Sequence, residues 1–178
     1  MSDRITSEKI AAAVSSAAQD VFSTMLQLPL EAEAFREEGT EPESVDGIVA
    51  LVGIAGSWTG TGRIWCSPQF ACQLAGALLM QTYEAVDEDV LDAVSEVANM
   101  IVGNVKTIFE EELGPLGLSV PTVIFGRNYR AHSPGVRRWT VIPFRSGGES
   151  WNLSFFMIPT KIHSHPPAHR PEPVQATS

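Results

Sequence analysis

Asp92, Glu96 and Asn99 stand at intervals of four and three residues in a stretch, Asp89 to Leu113, whose apolar residues recur at helical spacing. At roughly 100° per residue, with Asp92 as zero, Glu96 falls near 40°, Asn99 near −20°, Gly103 near 20° and Lys106 near −40°. Val90, Val94, Val97, Ile101, Val105 and Ile108 fall between about 140° and 220° on the same wheel, so the helix should bury that side and turn the polar row outward. The residue types define what such a row can do. A carboxylate pairs with a cation presented to it. An amide accepts a hydrogen bond through its carbonyl and donates through its NH2, so it can hold a water beside an anionic centre without adding charge.

Other groupings offer less. Glu110, Glu111 and Glu112 point in three helix directions and form no paired-carboxylate cleft with Glu96. No GxSxG, HExxH or nucleophile with an evident histidine base is present. Gly56, Gly60 and Gly62 match neither a P-loop nor a dinucleotide fingerprint, so they read as a glycine-bearing hairpin. Cys66 and Cys72, with no CxxC spacing, read as thiols rather than metal ligands. No intrinsic metal site is expected. Trp58, Trp65, Trp139 and Trp151 are expected to fill a core rather than line a ligand pocket. Lys106 reads as a snorkelling surface lysine.

The chain has 178 residues, enough for one domain with a full core, with 44% hydrophobic and 19% charged residues. A net charge of −9 argues against nucleic acid as a ligand and suits basic protein surfaces. No apolar run approaches the roughly 20 residues needed to span a bilayer. The start, MSDRITSEK, lacks the apolar core of a secretory signal, and a cytoplasmic location is expected.

The row must be positioned by the elements around it. A first helix is expected from Thr6 to Leu28, stopped by Pro29, followed by an acidic loop from Glu31 to Glu43. Strands are expected over Val45–Ile54 and Trp58–Cys66, then a short helix from Ser67-Pro68 to about Thr82. Acidic residues Asp87 to Asp89 begin the long helix, and Gly114, Pro115 and Gly117 end it. Strands over Leu118–Phe125, Arg138–Phe144 and Ser150–Ile158 follow, and strands joined by short glycine turns should pair antiparallel. The pattern is α+β: a mostly antiparallel sheet with two long helices on one face, plus a shorter helix. Residues 1–158 form the domain. Residues 159–178 are Pro-, His- and Ser-rich and are expected to be disordered, their histidines included.

The string DAVSEVANMIVGN, Asp92 to Asn104, resembles the marker helix of the CheC, CheX and FliY chemotaxis phosphatases. Their motif is Asp or Ser, three residues, Glu, two residues, Asn and a distal proline. Pro121 stands one residue short of that proline's usual place. VFSTMLQL from Val21, GIAGSWTGTGRIWCSP from Gly53 and LSVPTVIFG from Leu118 also look like the CheX branch. CheC-type members carry the motif twice, whereas the first helix here offers only Ser16, Asp20 and Ser23 at that spacing.

The resemblance implies hydrolysis of the phosphoaspartate of a response-regulator receiver domain. Asn99 would position the attacking water, Glu96 would pair with the receiver's lysine, and Asp92 and Gly103 would contact the receiver. The Mg2+ would belong to the receiver's acidic pocket, and the protein would form a homodimer through its sheet edges. A non-catalytic receiver-binding or flagellar-switch adaptor on the same scaffold is the alternative.

Overall fold

The computed structural model describes residues 5–39, 45–129 and 138–160. The first helix, α1 (Ser7–Val21), starts where the Thr6 side chain accepts the Lys9 N–H, and it buries Ile10, Val14, Ala17, Ala18 and Val21. It does not continue as one α-helix. Phe22–Leu26 forms a π turn, and Gln27, at φ 53°, closes it in the left-handed region ahead of Pro29. The acidic stretch expected to be a loop contains two short strands, β1 (Glu31–Ala32) and β2 (Arg36–Glu38), both pairing with the later strand Trp139–Ser146. They are edge strands of mostly exposed polar residues, so no alternating apolar pattern announced them. Residues 40–44 lie outside the described residues.

β3 (Val45–Gly56) and β4 (Trp58–Cys66) form the expected hairpin. The next helix, α2 (Pro68–Leu79), is capped by Ser67 with Pro68 in its first turn, and stops at Met80, φ 55°, short of Thr82. The long helix α3 (Glu88–Leu113) is capped by Asp87 and ended by Gly114 at φ 78°. The strand expected from Leu118 to Phe125 is split into β5 (Leu116–Leu118) and β6 (Thr122–Tyr129), with Pro121 in the break between them. β7 (Trp139–Ser146) and β8 (Glu149–Pro159) close the fold, joined through Gly147 and Gly148, both at positive φ.

All the strand pairs are antiparallel, in the order β1-β7-β8-β4-β3-β5, with β2 also on β7 and β6 also on β3. β6 and β7 are not partners, although a glycine-bearing connection suggested a hairpin. Ile48, Ala50, Val52 and Ile54 of β3, Ile64 and Cys66 of β4 and Leu153, Phe155 and Met157 of β8 point toward the helices. α1 lies over β7 and β8, α3 over β3, β4 and β5, and the two helices pack against each other.

The glycines of the hairpin serve this packing. A Cβ on Gly62 would lie 2.5 Å from Val102 Cγ2 of α3, and one on Gly60 would lie 2.3 Å from the Phe156 carbonyl oxygen. Only glycine lets α3 approach β4 so closely at Gly62, and β8 approach it at Gly60. Trp151 stacks on Phe22, Phe70 and Phe144, with ring centroids 5.3, 5.8 and 4.6 Å away, where the π turn, α2 and the sheet converge. On the opposite sheet face Trp139 meets Phe156 edge-on, and the Arg63 guanidinium lies 4.7 Å from the Trp139 ring. β8 ends at Pro159, and the stretch from 161 onward lies outside the described residues.

Candidate functional site

Asp92, Glu96, Asn99 and Gly103 lie along one uninterrupted α-helix, α3. Its buried side is wider than the stripe read from the sequence and drifts round the helix toward the C-terminus. Val90, Val94, Val97, Ile101 and Val105 are buried as expected, while Ala98, Val102, Phe109 and Leu113 join them. Ile108 does not: it is 42% exposed, because the contact face has turned toward Phe109 by that point. The polar row keeps the outer side. Asp92 and Glu96 are exposed, and Asn99 and Gly103 are half-buried.

Among the described residues, no hydrogen bond or ion pair engages the side chains of Asp92, Glu96 or Asn99. An unengaged carboxylate and amide a turn apart are available to an incoming partner. Among the described residues, neither Glu96 nor Asn99 must break an internal contact first. Lys106, by contrast, is committed: its Nζ lies 2.7 Å from Glu110 Oε2, one turn on, so it is an ion-paired residue rather than a snorkelling one. Glu110 also accepts the Leu116 N–H at 2.8 Å. The Lys106 hydrogen bond, and then that backbone N–H, hold the Glu110 carboxyl below its ordinary range.

Gly103 differs from the hairpin glycines. A Cβ there would make an ordinary 3.6 Å contact with Leu118 Cδ1 of β5, so the fold does not demand glycine at this position. What glycine does is lower the helix surface beside Leu118. Leu118 is a neighbour of the row that the sequence did not announce, since it read only as the first residue of a longer strand. The signal present was Pro121, which breaks that strand just beyond it.

The matching positions on α1 are arranged otherwise. Ser16, Asp20 and Ser23 are exposed, but the Ser23 and Thr24 hydroxyls donate to the Asp20 carbonyl at 3.1 and 2.7 Å. Asn104 of α3 donates to the Asp20 carboxylate at 3.4 Å. The π turn widens the helix at Phe22, so Ser23 no longer follows Asp20 with α-helical phase.

A cavity of about 400 Å3 lies between α2 and the loop leading to α3, lined by Cys72, Gln73, Tyr83 and Glu84 among others. None of the polar row and none of the four tryptophans lines it. Burial pushes the Cys66 thiol up to about 12 and also raises Cys72, with a further contribution from Asp87. Both cysteines are free thiols. Among the described residues, no group of three His, Cys, Asp or Glu is placed to hold a metal ion, and no helix is long and apolar enough to cross a membrane.

The fold and the row together define an α+β domain presenting a helix-borne carboxylate and amide on an open flank. Residues 48–145 match the family described as chemotaxis phosphatase CheX. That span is more than half of the chain, and the protein belongs to the CheX family. A CheX structure from Vibrio vulnificus is 20% identical, with a TM-score of 0.74 over 84% of this chain and 99% of that one. CheX from Desulfovibrio desulfuricans is 24% identical, with a TM-score of 0.72 over 84% and 99%. A Borrelia burgdorferi CheX, solved as a CheX-CheY-BeF3-Mg+2 complex, is 23% identical, with a TM-score of 0.70 over 86% and 99%. Among curated proteins there is no match.

Proposed function

We propose that this protein hydrolyses the phosphoaspartate of a response-regulator receiver domain, with Asn99 positioning the attacking water and Glu96 docking the receiver's lysine. An acyl phosphate has a good leaving group and its transfer is loose, so catalysis chiefly needs a water held in line. The neutral Asn99 amide can accept from that water and donate toward an anionic phosphoryl group without repelling it. Glu96, one turn earlier on the same outer side, carries the charge that pairs with an ammonium. Once desolvated in the complex, such a pair is worth on the order of 2 to 5 kcal/mol and fixes register. Asp92 and Gly103 extend the contact. The Mg2+ needed for the reaction is brought by the receiver.

The observation that carries this reading is that Glu96 and Asn99 share an open flank with no internal partner among the described residues. The Borrelia relative, solved with CheY, supports a receiver-type partner. The protein acts in the cytoplasm as a homodimer. The position of β6 supports the dimer: its described partner is β3 alone, which leaves its other backbone edge open to a second copy.

The test is the rate of phosphate loss from a phosphorylated receiver with Mg2+, with and without the protein. Wild type should accelerate it, and Asn99→Ala should not while still binding the receiver. Binding by wild type without any change in phosphate lifetime would replace the enzyme by a receiver-binding adaptor. Mass measurement in solution tests the dimer, and a monomer at working concentration would exclude it.

A further inference from the structure

Beside the polar row, β5 and the turn after it carry apolar side chains into solvent. Leu118 is 36% exposed and Val120 is 86% exposed. Leu118 lies against the bare backbone of Gly103, which falls between Glu96 and Asn99 on the helix wheel, so the apolar strip and the polar row abut. The strip is held firmly. Glu110 anchors the Leu116 N–H, and Leu118 is registered opposite Ile54 of β3. The Ser119 N–H donates to the Gly53 carbonyl at 2.9 Å, the Gly53 N–H donates to Ser119 Oγ at 2.8 Å, and Ser119 Oγ donates to the Val120 carbonyl at 3.0 Å. An apolar side chain already fixed in place loses little further freedom when it is covered.

Two features decide what covers it. A second copy adding a strand to this edge needs a continuous row of free backbone groups. Residues 119–121 interrupt the edge between β5 and β6, so a copy paired along β6 would not continue its ladder to Leu118. Continuity with the row points instead to the partner that the row itself meets. We infer that Leu118 and Val120 form the apolar half of the receiver-docking surface, a shelf exposed by Gly103 that adds affinity for the phosphorylated receiver beside the Glu96 pair. This inference rests on the phosphatase reading above.

The shelf acts by binding the ground state and the transition state alike, so its loss should raise KM and spare kcat. Val120→Asp is the variant of choice, because a side chain this exposed contributes little to folding. With phosphorylated receiver as substrate, KM should rise at least tenfold, kcat should stay within twofold, and the mass in solution should not change. Val120→Ile should keep the wild-type KM. An unchanged KM for Val120→Asp, with wild type active, would overturn the shelf and leave the phosphatase reading standing. A fall in mass accompanying the rise in KM would assign the patch to a second copy and also overturn the shelf. Wild type that leaves receiver phosphate untouched would sink both.

Discussion

The outer faces of α3 and α1 carry similar polar spacing and reach opposite ends. On α3 the helix runs without a break from Glu88 to Leu113, and Asp92, Glu96 and Asn99 keep one phase along it. On α1 the corresponding Ser16, Asp20 and Ser23 run into the π turn at Phe22, and the serine hydroxyl bonds back to its own helix. Asp20 is also taken up by Asn104. Spacing alone therefore does not leave a face available to a partner. What separates the two faces is whether the helix keeps its period and whether the side chains remain unspent.

That contrast can be broken or sharpened by experiment. The largest expected effect is Asn99→Ala, which removes the amide proposed to position the water and should lower kcat toward a receiver phosphate by about 10²-fold or more. Receiver affinity should change little, and a simultaneous loss of affinity would mean that Asn99 docks rather than positions. Glu96→Ala should act in the opposite sense, raising KM by roughly thirtyfold as the proposed interfacial ion pair is lost. An unchanged KM would move the docking charge elsewhere on α3.

The packing beneath α3 comes next. Gly62→Ala drives a methyl into Val102 and should cost about 1–3 kcal/mol in urea denaturation. A neutral result would show that α3 can lift from the sheet. Cys66 probes the core under the helices. Its thiol titrates near 12 in the folded protein against an ordinary 9.0, so the folded state holds its proton where the unfolded chain releases it. Its contribution is complete below about pH 9 and is lost as pH rises toward 12, by up to about 1.4 kcal/mol per pH unit. Cys66→Ala should flatten that part of the stability profile, and an unaltered slope would contradict the assignment. Gly103→Ala is the smallest and most telling change. It should stabilise the helix by about 0.5–1 kcal/mol, since an alanine methyl fits against Leu118, while weakening receiver binding. A variant both more stable and equally active would remove Gly103 from the interface.

Much of this was legible because periodicity is a direct consequence of burial. α3, β3, β4 and β8 follow from apolar spacing, and the starts of α2 at Pro68 and of α3 at its acidic residues follow from helix-end chemistry. β1 and β2 were not legible, since short edge strands of exposed acidic residues have no buried face to imprint a pattern. The π turn leaves no composition signal distinct from an ordinary helix end. The break between β5 and β6 was written in Pro121, but the surrounding apolar residues made it look continuous. Within the site, the outward side of Glu96 could be read from the wheel. The unspent state of the row, the Lys106–Glu110 pair and the nearness of Leu118 to Gly103 depend on tertiary contacts that spacing does not encode.

The most direct test of the central claim compares the two faces within one assay of receiver dephosphorylation. A Glu96→Ala/Asn99→Ala protein should reduce phosphate loss to the receiver's own rate, while an Asp20→Ala/Ser23→Ala protein should match wild type. Full activity without the α3 pair, or silence without the α1 pair, would contradict the account.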